Sequence, residues 1–277
     1  MRHMIPQHWR ALCVSMILGC SASNLVQAAE NYTFGVFPHL PPADIERIFA
    51  PMAKELSDAV GKPVKFTSAT SFAAFKARLM EEELDIAFLQ PFDYVTLADE
   101  LGYIPVASRG ENLRALFVVR PDSNIRKLSD LKGKKIATPP RIAAVSYLIK
   151  SHLRENGIDP NKDVRIIYRR SHISCMQQVQ IKAVDACGTA YPPLRVFKNK
   201  MNKPLDIIAE TDPIPHALFA VHPRVSKEDR EKIQQRVITW TSTDTGKKIL
   251  QQGFFKPFKP IDDKAYDIVR KMKRENK

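Results

Sequence analysis

Residues 64–100 read VKFTSATSFAAFKARLMEEELDIAFLQPFDYVTLADE, and residues 164–198 read VRIIYRRSHISCMQQVQIKAVDACGTAYPPLRVFK. In the first stretch 64–67 reads as a strand, 72–82 as a helix, 85–89 as a buried strand and 92–100 as a second helix. The later stretch follows the same grammar, with strands at 164–168 and 184–187 and helices at 174–181 and 192–198. Short apolar runs bounded by turn residues alternate here with segments whose apolar residues recur at steps of three and four. That alternation predicts α/β layers with mostly parallel sheets.

Working outward, 32–37 is a strand. The segment 43–60 is a helix with Ile45, Phe49, Met52, Leu56 and Val60 on one face. Pro51 is expected to kink this helix or restart it, and Gly61-Lys62-Pro63 to stop it. Strands are predicted at 103–108, 113–120, 135–137 and 205–209, a helical turn at 128–131, and a helix at 142–156 ended by Gly157. The last part changes character: 227–241, 243–252 and 262–273 are charge-rich helices. Two βα sets with a helical return predict two lobes. Ligands of open α/β sheets bind at the carboxyl ends of the strands, beside helix N-termini, so two such lobes can face each other across a cleft.

The formal charge is +13. Lys and Arg are spread along the chain without a dense basic block carrying aromatics, which argues against nucleic acid as a partner. The N-terminus carries Arg2 and Arg10, then an apolar run from Ala11, then Val26-Gln27-Ala28, the three-part layout of a secretory signal over residues 1–28. The apolar run is far shorter than the ~20 residues that span a bilayer. A cut after Ala28 releases a soluble periplasmic protein; Ile17-Leu18-Gly19-Cys20 also resembles a lipobox, which would anchor the chain through Cys20. Of the four cysteines, Cys175 and Cys187 lie in the mature part.

A series of motifs carries a resemblance. Phe34-Gly35-Val36-Phe37 opens it, followed by Gly61-Lys62-Pro63-Val64, Ser71-Phe72-Ala73-Ala74, Leu84-Asp85-Ile86-Ala87 with Pro91 and Tyr94, and Leu128 to Lys134. Ser171-His172, Val184-Asp185-Ala186 and Ile214-Pro215 complete it. In order and spacing this series resembles the phosphate-, phosphite- and phosphonate-binding periplasmic proteins of ABC transporters, which are type II solute-binding proteins. The resemblance implies a two-lobed fold with residues 29–117 and 214–277 in lobe 1 and 118–213 in lobe 2. It implies capture of a small anionic ligand by lobe closure and delivery to an ABC permease, by a monomer with no cofactor, no metal and no catalytic residue. Phe72 and His172 match family ligand positions. The family's Ser-Thr-Ser turn aligns with Ile142-Ala143-Ala144, and its acidic ligand positions fall near Pro192 and Ala217. The phosphorus cradle is therefore altered in this chain.

Several residues are candidates for the ligand. Pro139-Pro140-Arg141 leads into a helix whose free N–H groups and partial positive charge suit an anion, with Arg141 adding a bidentate contact. Arg170 and His172 sit between a strand and a helix, where His172 can donate to an oxyanion. Gln90 and Tyr94 follow a buried strand and can hydrogen-bond a bound group. Arg114, Tyr191 and His216 lie near the predicted cleft and hinge. Cys175 and Cys187 have three readings: a disulfide, two buried thiols, or a thiol pair for a soft ligand such as trivalent arsenic. The last would suit a sensor that signals to a histidine kinase instead of feeding a transporter. An enzyme would require a reactive thiol beside a base, for which only His172 with Cys175 offers itself.

Overall fold

A computed structural model describes residues 31–275; the predicted signal, with Cys20 and Ala28, lies outside the described residues. The first half-unit runs β1 (Tyr32–Val36), α1 (Pro42–Val60), β2 (Val64–Ser68), α2 (Phe72–Met80), β3 (Ile86–Leu89), α3 (Pro91–Leu101) and β4 (Ile104–Ser108). The second runs β5 (Leu116–Val119), β6 (Lys135–Thr138), α4 (Ala144–Glu155), β7 (Arg165–Tyr168), α5 (His172–Gln180), β8 (Ala186–Thr189), α6 (Tyr191–Met201) and β9 (Asp206–Glu210). The chain then returns through β10 (Leu218–Val221), α7 (Lys227–Ile238), α8 (Asp244–Gly253), β11 (Lys259–Pro260) and α9 (Asp267–Glu275).

Two sheets result, in the orders β11-β4-β10-β3-β1-β2 and β7-β6-β8-β5-β9. The strands β2, β1, β3 and β4 all point one way, with β10 reversed between β3 and β4. In the second sheet β7, β6, β8 and β9 share a direction, and β5 is reversed between β8 and β9. The expected mostly parallel sheets are thus present: in the first, β10 and the two-residue edge strand β11 run against the other four, and in the second, β5 alone runs against the rest. The reversed strands β5 and β10 are fully buried runs, LFVV and LFAV, as a strand with neighbours on both edges and helices on both faces requires.

Local chemistry repeats between the halves. The Asp85 carboxylate accepts the Thr33 N–H at 2.7 Å at the foot of β1, and the Asp185 carboxylate accepts the Lys135 N–H at 2.8 Å at the foot of β6. Ser71 caps α2 by accepting the Ala74 N–H, and Ser171 caps α5 by accepting the Ser174 N–H, each at 3.1 Å. These caps place the helix starts directly after the strand tips. Two segments join the sheets, 109–115 and 211–217, and they are stitched to each other. Leu113 and Ile214 exchange backbone hydrogen bonds at 2.8 and 3.0 Å, and Thr211 accepts the Ala115 N–H at 2.9 Å.

Some expectations change. The helix α1 continues through Pro51 without restarting. The helices expected from 142 and from 174 begin at Ala144 and His172. Strands β10 and β11 were not expected: the first precedes the charge-rich helices of the C-terminal part and the second lies between two of them. Cys175 and Cys187 are joined in a disulfide, which ties α5 to β8 in the second core. No thiol remains there for a soft ligand, for a cysteine sensor or as a nucleophile.

Candidate functional site

The strand tips of both sheets converge. Phe37 and His39 follow β1, Phe72 follows β2, Gln90 and Pro91 follow β3, and Arg109 follows β4. From the other sheet Ala143 to Val145 follow β6, His172 follows β7, and Ala190 with Pro192 follows β8. Together with Leu113, His216 and Ala217 from the hinge they enclose a cavity of about 50 Å³. That volume holds a water or two, or one compact polar group. It lies between a groove of about 820 Å³ on the hinge side and a groove of about 710 Å³ at the outer mouth.

The lobes meet through Gln90. Its Oε1 accepts the Ala144 N–H at 2.7 Å, and its Nε2 donates to the Ile142 carbonyl at 2.9 Å and to Asp93 at 2.7 Å. The amide of one lobe thus satisfies the first free N–H of α4 in the other, a donor that no side chain of α4 itself caps. Phe92 stacks on Tyr147 across the same seam at 4.4 Å, and Lys200 donates to Asp44 at 2.7 Å farther out. Burial pushes the Asp93 carboxyl up to about 6, against the opposing hydrogen bond from Gln90.

Three imidazoles face the cavity, and burial holds each below its ordinary range: His39 at about 4, His172 at about 3, and His216 well below 6.5. They are neutral at neutral pH, so their partners set their roles. His216 Nδ1 accepts the Ala217 N–H at 2.6 Å, which leaves the proton on Nε2 as a donor. His39 Nδ1 lies 2.9 Å from the Phe37 carbonyl and donates to it, which leaves Nε2 as an acceptor. His172 Nδ1 meets Thr189 Oγ1 at 3.1 Å. Arg109 is the one formally charged side chain of the cavity wall. It is 3 % exposed, lies 4.7 Å over the Phe255 ring and pairs with Glu111. Burial lowers its guanidinium from the usual range, and Glu111 opposes that shift.

Of the residues singled out from sequence, Phe72, Gln90, His172 and His216 come together at the cavity. Arg141 and Arg170 line the outer groove, where Arg141 lies 4.9 Å over the Tyr168 ring. Arg114 and Tyr191 line the hinge-side groove; Arg114 donates to the Thr211 carbonyl and Tyr191 to Glu210. Tyr94 does not reach the gap: it is buried in the first lobe and its hydroxyl donates to Asp263 at 2.7 Å. His39 and Arg109 were missed, although each stands just beyond a strand's carboxyl end, the same signal that found Gln90. Among the described residues no cluster of His, Cys, Asp and Glu is arranged to hold a metal ion, and no helix is long and apolar enough to cross a membrane.

Two mixed α/β lobes that meet strand tip to strand tip around a small, largely apolar cavity with a few polar groups in its wall, joined by two crossing segments, define a lobe-closing solute-binding protein. Residues 34–266 match the model of the ABC-transporter phosphonate periplasmic substrate-binding proteins, and the chain belongs to that family. It is 23 % identical to the phosphate-import protein PhnD of Mycolicibacterium smegmatis, over 94 % of this chain and 89 % of that protein. Its fold is similar to PhnD1 of Prochlorococcus marinus, solved with methylphosphonate, at a TM-score of 0.79 and 16 % identity, covering 89 % of this chain and 98 % of that one. A binding component of a phosphonate ABC transporter from Pseudomonas aeruginosa gives 0.77 at 19 % identity, covering 88 % and 85 %. Members of this family are transport components and not enzymes, and they deliver to a membrane permease from the periplasm. None of these relatives supports the sensor alternative.

Proposed function

We propose that this chain captures a small organophosphorus oxyanion by closing its two lobes on it, and hands the loaded, closed form to an ABC permease. The observation that carries this reading is the cavity between the lobes, to which Gln90, His172 and His216 bring neutral hydrogen-bonding groups from three separate parts of the chain. Lobe 1 comprises 29–117 with 214–277 and lobe 2 comprises 118–213, and the stitched segments between the sheets act as the hinge. The chain works as a monomer, exported by its N-terminal signal and released by a cut after Ala28.

Closure supplies selectivity in two ways. It removes water from the gap, which strengthens each remaining hydrogen bond. It also presents groups of fixed role: a donor on His216, an acceptor on His39, and the Gln90 amide, which can turn from Ala144 to a ligand. Neutral imidazoles suit a hydroxyl group of the ligand, because donor and acceptor are both on hand. Calorimetric titration with inorganic phosphate, methylphosphonate and hydroxymethylphosphonate tests the reading. Saturable one-to-one binding of at least one of them is expected, and heats indistinguishable from dilution for all three would refute it.

A further inference from the structure

The outer groove carries charge that the protein leaves unmatched. Arg141 and Arg170 are both exposed in its wall, on the lip of the second lobe. Neither makes an ion pair with a carboxylate among the described residues, and the groove lining contains no Asp or Glu. Ser71 on one bank and Ser171 and Ser174 on the other add hydroxyls. Just behind Arg170, Arg169 holds a buried Nε with no partner. The groove is continuous with the central cavity, since His39 and Phe72 line both.

The cavity has the opposite character. Its only formal charge, on Arg109, is already matched by Glu111. Its other polar groups are neutral imidazoles and the Gln90 amide, and its volume is about 50 Å³ against about 710 Å³ in the groove. A phosphonate dianion placed in the cavity would meet no free side-chain countercharge, and the first N–H of α4, which could otherwise receive it, is already taken by Gln90. In the groove the same group meets two guanidinium forks with no carboxylate partner, that of Arg141 resting on the Tyr168 ring, the geometry that suits phosphorus oxyanions.

Resting on the proposed capture of an organophosphorus ligand, we infer that the ligand is bipartite: its charged phosphonate or phosphate-ester group lies in the outer groove on Arg141 and Arg170, and a compact, uncharged, hydrogen-bonding substituent enters the central cavity. The altered turn at Ile142-Ala143-Ala144 fits this division. A cavity that takes an uncharged group needs no hydroxyl cradle at the start of α4. The preferred substituent both donates and accepts, as a hydroxyl does, because His216 Nε2 offers a proton and His39 Nε2 a lone pair. An ammonium-bearing substituent is disfavoured, since no carboxylate lines the cavity.

The test is calorimetric titration of the whole mature chain with methylphosphonate, hydroxymethylphosphonate and 2-aminoethylphosphonate. The wild type is compared with the double variant Arg141→Gln, Arg170→Gln. The inference expects hydroxymethylphosphonate to bind best. It expects the double variant to lose more than tenfold in affinity for it, about tenfold for each charge-assisted contact being typical. The paired lysine variant, Arg141→Lys with Arg170→Lys, should keep part of that affinity. A loss below tenfold in the double variant would place the phosphorus in the cavity and overturn the bipartite ligand, while the capture itself stands. Absence of binding by the wild type to any of these ligands would refute the capture. Should the double variant fail to fold, salt decides on the wild type. Groove binding weakens several-fold between low and high ionic strength because exposed charges are screened, and salt-independent affinity would overturn the inference.

Discussion

Replacing Gln90 by Ala removes the two hydrogen bonds that cross from the first lobe to the Ala144 N–H and the Ile142 carbonyl, at 2.7 and 2.9 Å. Each such bond is worth about 0.5–1.5 kcal/mol net. The ligand-free closed form should therefore lose about 1–3 kcal/mol relative to the open form, a shift of roughly 5- to 150-fold in their ratio. The stacking of Phe92 on Tyr147 and the Lys200–Asp44 pair remain. Stacking of this kind is worth about 0.5–1.5 kcal/mol and an exposed ion pair less than about 1 kcal/mol, so they do not offset the loss. The variant also strips Asp93 of its Gln90 donor, and its buried carboxyl rises further. Small-angle X-ray scattering of the ligand-free protein reads the result directly. The wild type should scatter as the closed shape and the variant as a mixture with a larger radius of gyration. Identical curves would mean that Gln90 does not hold the lobes together, and the reasoning would fail.

Acid should destabilise the fold through His172. Burial lowers its imidazole from 6.5 to about 3, so between those values the unfolded chain takes up a proton that the folded chain refuses. That contribution is fully present above pH 6.5 and is lost as pH falls, by about 2 kcal/mol at pH 5. His172→Asn should therefore show a smaller drop in urea stability from pH 8 to pH 5, by about that amount, and equal drops would contradict the assignment. The Cys175–Cys187 bridge closes a loop of sequence separation 12, worth about 3 kcal/mol. Replacing both by Ala should lower the denaturant midpoint while leaving phosphonate affinity within about twofold, and a large loss of affinity would point to a role in the site.

The rhythm of short apolar runs and helical segments was enough to give two α/β lobes, because every parallel strand here is bounded by a turn or a capping residue. The reversed strand β10 was harder to find. Leu218–Val221 is a four-residue apolar run whose partners β3 and β4 lie more than a hundred positions earlier, and only long-range pairing makes it a strand. Gln90 and His172 were legible because each stands where a strand ends and a helix begins, and Phe72 because it matches a family ligand position. The same rule applied to β1 and β4 would have found His39 and Arg109. Tyr94 shows the rule's reach: one helical turn past Gln90, it points back into the lobe, toward an Asp263 that sequence distance hides. The cysteines could not be resolved from spacing alone. Their pairing follows from α5 lying across β8, which is a tertiary fact.

The central claim is that the lobes close on a phosphorus oxyanion in the gap between them. Spin labels at the exposed positions Lys54→Cys and Lys198→Cys, one on each lobe, measure that gap by electron–electron dipolar spectroscopy. Carried out in Gln90→Ala, where the ligand-free lobes are expected to sample the open form, the measurement should show a broad or long distance that collapses to a single shorter one on adding hydroxymethylphosphonate. A distance distribution that stays unchanged while calorimetry reports saturation would contradict closure.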